Sequence, residues 1–126
     1  YTIGLDMSVR GGETPSYRKS PDTYSVLGPW LVTRDEIPDP DNLDLSLHVN
    51  GEVRQQANTQ LLILNVRRVI AYASALYTLH PGDVIMTGTP AGVGPVLPGG
   101  TIKAYVEKIA TFDIRVAPQF ADQVEG

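Results

Sequence analysis

The sequence predicts an α+β domain, mostly β, with one main helix at about 60–78. Three observations predict it. Residues 1–10 and 43–49 alternate apolar with polar side chains, the period of a half-buried strand, and 101–107 and 111–116 also read as strands. One stretch alone, through Leu62, Val66, Val69, Ile70, Ala73, Leu76 and Tyr77, carries helical spacing. A glycine-rich segment, residues 82–94, then follows the helix and precedes the last two strands.

Composition bounds the rest. A chain of 126 residues is one domain, large enough to bury about two thirds of its unfolded surface. Hydrophobic content of 42% and charged content of 19% are those of an ordinary soluble globule. The net charge of -4 argues against a nucleic-acid partner, which wants a basic face, but leaves room for a locally basic pocket. Without cysteine there is no disulfide, thiolate metal site or thiol nucleophile. No apolar run approaches the ~18 residues of a membrane span and no secretory leader is present, so a cytoplasmic protein without a membrane partner is expected. The chain enters a strand pattern at Tyr1, which predicts an internal start with part of any active site upstream.

Taken in order, the first strand pattern buries Ile3, Leu5, Met7 and Val9. Asp6, Ser8 and Arg10 share its other face. Four residues of strand separate Asp6 from Arg10 by about 13 Å, which suits the two ends of a small anion or a plain solvated face. Residues 11–21 read as a loop bearing Lys19, and residues 27–33 as a turn leading into a short strand. The acidic connector 34–44 lacks the spacing of a calcium loop and reads as solvated surface. Asn50-Gly51 predicts a hairpin between residues 43–49 and 52–56. Asn58 or Thr59 is the expected helix cap, His80-Pro81-Gly82 the stop, and the helix should pack its apolar face on the sheet.

Residues 83–86 read as a short buried strand that breaks into a turn at 87–94. Gly88, Gly92 and Gly94 permit positive φ, and such a turn can aim several N–H groups at one carboxylate or oxyanion. Thr87 and Thr89 add hydroxyls. The order of glycines fits no dinucleotide fingerprint, and no Gly-Lys-Ser/Thr follows. Simple turn chemistry remains the alternative. Residues 101–107 and 111–116 complete the domain as a hairpin, and the polar tail begins at Pro118.

Four segments, in the same order, then carry a resemblance to the fumarylacetoacetate hydrolase family. They are Asp6-Met7-Ser8-Val9-Arg10, Lys19-Ser20 with Leu27-Gly28-Pro29-Trp30, Asn50-Gly51-Glu52-Val53-Arg54-Gln55 with Asn58-Thr59, and Pro81-Gly82-Asp83 with Thr87-Gly88-Thr89-Pro90. The resemblance implies a mixed β-sandwich roll, with a partial catalytic domain over 1–117 and a tail over 118–126. It implies a divalent cation, Mg²⁺ or alternatively Mn²⁺ or Ca²⁺, and a homodimer. By position Asp6 matches the metal-ligand aspartate, Lys19 a catalytic lysine near the substrate carbonyl, Gly88 and Thr89 the loop that holds the substrate carboxylate, and Arg10 a pocket arginine. The family's other metal ligands form a Glu-x-Glu pair ahead of the aspartate strand, and no Glu-x-Glu occurs in this sequence. Gly11 stands where many members carry a second aspartate.

The implied partner is a small 2-oxo or 1,3-dicarbonyl acid, and the implied reaction is hydrolysis of a carbon–carbon bond of an acylpyruvate through an enolate held on the metal. A hard cation with oxygen ligands suits a 2-oxo acid's two oxygens, and a lysine adds charge where negative charge develops. A decarboxylase or a keto–enol isomerase on the same scaffold is the enzymatic alternative. A degenerate carboxylate-binding module is the non-enzymatic one.

Overall fold

The computed structural model describes residues 1–118. Eight elements follow in chain order: β1 (Ile3–Asp6), α1 (Pro15–Lys19), β2 (Ser25–Gly28), β3 (Asp44–Val49), β4 (Glu52–Asn58), α2 (Val66–Leu76), β5 (Thr101–Val106) and β6 (Ala110–Arg115). β1 and β2 form a two-stranded sheet, and β4-β3-β5-β6 form a four-stranded one. All pairings between these strands are antiparallel. The architecture is the mostly β domain with one main helix that the patterns predict.

The core lies between the two sheets. Ile3 and Leu5 from β1 meet Ile102 and Ala104 from β5, with Val32, Ile37, Leu43 and Ile109 around them. Alternation therefore selects the faces: Ile3 and Leu5 turn inward while Gly4 and Asp6 turn out. Ile37 is the most enclosed side chain, 1% exposed, although it sits in the acidic connector. A capping box between Thr33 and Glu36 folds a 3₁₀ turn immediately before Ile37. The turn between β3 and β4 has positive φ at both Asn50 and Gly51, as a tight hairpin turn requires.

Several expectations need correction. The first strand ends at Asp6, and beyond it the chain bonds only intermittently, Met7 N–H to the Tyr24 carbonyl at 2.9 Å and Val9 N–H to the Arg18 carbonyl at 2.9 Å. The supposed loop 11–21 contains α1, one turn with Pro15 at its start. The strand expected at 27–33 lies earlier, at Ser25–Gly28. The main helix spans Val66–Leu76 rather than 60–78, and Asn65 is its cap, accepting from Arg68 N–H at 3.0 Å. Asn58 instead caps the preceding 3₁₀ turn, and Thr59 Oγ1 accepts from Leu43 N–H at 2.8 Å. The acidic connector reaches this helix too: Asp41 accepts from Val66 N–H at 2.8 Å, where the helix dipole favours a carboxylate.

Two errors are larger. No residue of α2 is buried, and Ile70 and Leu76 stand exposed, so its apolar face is not packed on the sheet. Residues 83–86 form no strand and pair with no strand among the described residues, although Met86 packs against Gly4 of β1. Asp83 instead accepts from His80 N–H at 2.7 Å, closing a turn. Of the expected tail, residues 119–126 lie outside the described part.

Ile37→Ala should cost about 2–5 kcal/mol, the range for emptying a fully enclosed aliphatic site. Urea unfolding should show a lower midpoint at an unchanged slope. A shift under ~1 kcal/mol would mean that Ile37 is not a core anchor.

Candidate active site

Asp6 ends β1 on its outward face, and Ser8 repeats that face two residues on. α1 then returns the chain so that its last residue, Lys19, reaches both. The Lys19 ammonium donates to the Asp6 carboxylate and, at 3.2 Å, to Ser8 Oγ. Both charged side chains remain open, Lys19 45% and Asp6 41% exposed. An ion pair this exposed contributes about 0–1 kcal/mol, so the fold does not depend on it.

One cavity of about 500 Å³ runs between this edge and the glycine-rich loop. Asp6, Ser8 and Arg10 line it from one side, and Gly88 and Thr89 from the other. Lys19 is not part of the wall and joins it through Asp6 and Ser8. Arg10 makes no ion pair among the described residues. The structure thus brings four of the five sequence-derived site residues to one cavity and places the fifth at its rim. Much of the remaining lining is aliphatic, including Leu45, Leu47 and Val96.

The loop owes its position to β4. Leu47 pairs with Gln55 and His48 with Val53, which leaves Arg54 as the extra residue of a β-bulge. Arg54 and Gln55, neighbours that a regular strand would send to opposite faces, both line the cavity. Gln55 is buried, and its carboxamide nitrogen donates to Thr89 Oγ1 at 2.7 Å and to the Pro90 carbonyl at 2.9 Å. Gly92 packs so closely on the bulge that a Cβ there would lie 1.8 Å from the Arg54 carbonyl oxygen. Among the described residues no backbone N–H from 84 to 96 donates to another backbone carbonyl, so the loop's amides remain available.

Charge is mixed. Arg10 and Arg54 line the cavity together with Asp6 and Asp83, and Lys19 lies against Asp6. In a chain of net charge -4 this is a comparatively basic neighbourhood, suited to an anion. Among the described residues no group of three or more His, Asp or Glu side chains is gathered as a metal site. Sequence reasoning gave no role to Ser8, Arg54 or Gln55. The polar face of β1 could have supplied Ser8, whereas a bulge leaves no reliable mark in a single sequence.

The β domain thus sets the Asp6–Lys19 pair and the glycine-rich loop at one cavity. The model of the fumarylacetoacetate (FAA) hydrolase C-terminal domain matches residues 1–117, and the chain belongs to that family. It is 61% identical over 116 residues to a maleylpyruvate hydrolase of Aquipseudomonas alcaligenes, covering 92% of this chain and 40% of that protein. Its structure resembles maleylpyruvate hydrolase from Sphingobium sp. SYK-6 in complex with manganese(II) ion and pyruvate, with a TM-score of 0.88 and 45% identity, covering 93% of this chain and 43% of that one. It also resembles 2-hydroxyhepta-2,4-diene-1,7-dioate isomerase from Mycobacterium marinum, with a TM-score of 0.85 and 43% identity, covering 93% and 47%. The chain therefore spans less than half the length of each of these relatives.

Two glycine substitutions separate strain from collision. Gly88 has φ +92 with open space at its Cβ position, so Gly88→Ala should cost only backbone strain, about 1–2 kcal/mol. Gly92 has φ +101 and meets the Arg54 carbonyl, so Gly92→Ala should lower the thermal midpoint further. Equal midpoints for the two variants would show that the loop is not seated on the bulge.

Proposed function

We propose that this domain forms the carboxylate-binding and lysine-bearing part of a divalent-metal-dependent hydrolase that cleaves a carbon–carbon bond of an acylpyruvate. The observation that carries the reading is the shared cavity: Asp6, with Lys19 bound to it, on one side and the Gly88–Thr89 turn on the other. The likeness to maleylpyruvate hydrolases supports the substrate class.

The residue roles are part of the proposal. Thr89 and the Gly88 amide hold the carboxylate next to the keto group. Arg10 takes a second carboxylate, at the far end of a dicarboxylic substrate. The Lys19 ammonium supports negative charge as it develops on the carbonyl oxygen, an effect worth about 10²–10³ in kcat for one well-aimed donor. Aliphatic residues such as Leu45 and Leu47 supply apolar wall for the carbon skeleton of the substrate.

Asp6 is the described residue that would hold a divalent cation, and a hard oxygen donor at the cavity wall fits one. One carboxylate is a small part of such a cation's usual six to eight oxygen ligands, so further oxygens must join it from other segments, solvent or substrate. When bound, the cation supplies Lewis-acid polarisation of the carbonyl. Mg²⁺ is the proposed native metal, with Mn²⁺ the ion found in the Sphingobium relative. A homodimer belongs to the same proposal.

Isomerisation of a 2-hydroxy-dienoate is the second reading, favoured by the likeness to the Mycobacterium marinum isomerase. Product analysis with maleylpyruvate, fumarylpyruvate and a hydroxydienedioate separates the two. Pyruvate release marks cleavage, and a shifted double bond without new fragments marks isomerisation.

Asp6→Ala should abolish metal-dependent turnover by the full-length polypeptide. Retained turnover at saturating metal would remove Asp6 from the site. Lys19→Ala should lower kcat by about 10²–10³ while changing the metal affinity far less. Parallel losses of both would make Lys19 a structural partner of Asp6 only.

A further inference from the structure

Gln55 is the one buried polar side chain among the described residues, 9% exposed. A single atom of its carboxamide makes two contacts, to Thr89 Oγ1 at 2.7 Å and to the Pro90 carbonyl oxygen at 2.9 Å. A carbonyl oxygen only accepts, so the contact to Pro90 identifies that atom as the nitrogen and fixes the orientation of the amide. The two amide hydrogens are then both engaged, one on Pro90 and one on Thr89. Thr89 Oγ1 is thereby an acceptor toward Gln55, and its own hydrogen has no acceptor among the described residues. Thr89 lines the main cavity.

We propose that Gln55 is a positioning residue that fixes the hydroxyl of Thr89 as a hydrogen-bond donor toward an anionic oxygen, the carboxylate of a 2-oxo acid. A free threonine hydroxyl can donate or accept and so tolerates either kind of ligand atom. Engaging one of its two lone pairs from behind, with no other acceptor for the hydrogen among the described residues, biases the hydroxyl toward donating into the cavity. An anionic oxygen, which only accepts, is then matched, whereas an ammonium group, which only donates, presents a donor to a donor. The bulge at Arg54 is what allows this, because it brings Gln55 and the Arg54 carbonyl together against one loop. The inference rests on reading the Gly88–Thr89 turn as the carboxylate site.

The test is a double-mutant cycle in the full-length polypeptide, with pyruvate affinity measured by calorimetry in the presence of Mn²⁺. Gln55→Glu keeps the shape and exchanges both donors for acceptors, so the Thr89 hydroxyl must turn toward it. Pyruvate should bind about tenfold more weakly or worse, the loss of one hydrogen bond to a charged group. In a Thr89→Val background the same change should have under half that effect on the logarithm of affinity. The charge of the new carboxylate alone would act equally in both backgrounds, so additive effects overturn the inference. If Gln55→Glu does not fold, Gln55→Met enters the same cycle and is judged by the same non-additivity. Unchanged affinity in either Gln55 variant, with Thr89 present, also overturns it. Absence of pyruvate binding by the unsubstituted protein overturns the carboxylate reading and this inference together, and is thereby told apart from failure of the inference alone.

Discussion

A buried carboxamide must find hydrogen-bond partners, and Gln55 finds its two in the loop that faces it. Leaving them unmade would cost about 1–3 kcal/mol for each stranded group, enough to decide where a short irregular segment lies. Among the described residues the loop's amides join no ladder, and Gly92 can approach only because it lacks a side chain. The hairpin of β3 and β4, set by Asn50-Gly51, therefore positions residues more than thirty places further along the chain. Local turn chemistry, one bulge and one polar side chain together place half of the site.

The other half is placed by different means. β1 is buried on one face through Ile3 and Leu5, and this leaves Asp6 and Ser8 no choice of direction. α1 then brings Lys19 back to them across a single helical turn. Because the resulting ion pair is exposed, it adds little to stability. Its position reflects sheet pleat and chain reversal rather than the strength of the pair. The two walls thus reach the same cavity independently, one through apolar burial and the other through polar satisfaction.

That difference explains what could be read in the sequence. Burial writes a period, and the period was legible at Ile3 and Leu5, at β3 and in the last hairpin. The Asn50-Gly51 turn was legible because both of its residues tolerate positive φ. Asp6, Arg10, Lys19, Gly88 and Thr89 were legible as a set only through the order of their motifs. Gln55 and Arg54 carried no pattern of their own, since a bulge is a decision of two strands about register and a single strand does not record it. The short helix that ends at Lys19 has a Thr14-Pro15 start, but its five residues are too few for periodicity. The helix start misled for a related reason. Asn58, Thr59 and Asn65 are all competent caps, and the intervening 3₁₀ turn moved the true start to Val66.

The misread strand at 83–86 is the most instructive of these. Val84, Ile85 and Met86 have the composition of a buried strand, yet they stand partly exposed and pair with no strand among the described residues. Pairing them into a sheet would draw the following residues toward ladder geometry and would occupy amides that now remain free. A site for an anion needs the reverse: donors held in place before the ligand arrives, with no internal acceptor to displace. Glycines at 88 and 92 supply the positive φ that turns the chain out of extended geometry, and the Arg54–Gln55 edge holds the turn from behind. Regular structure is given up along residues 84–96, and the side chain of Gln55 and the carbonyl of Arg54 hold the segment where a ladder does not.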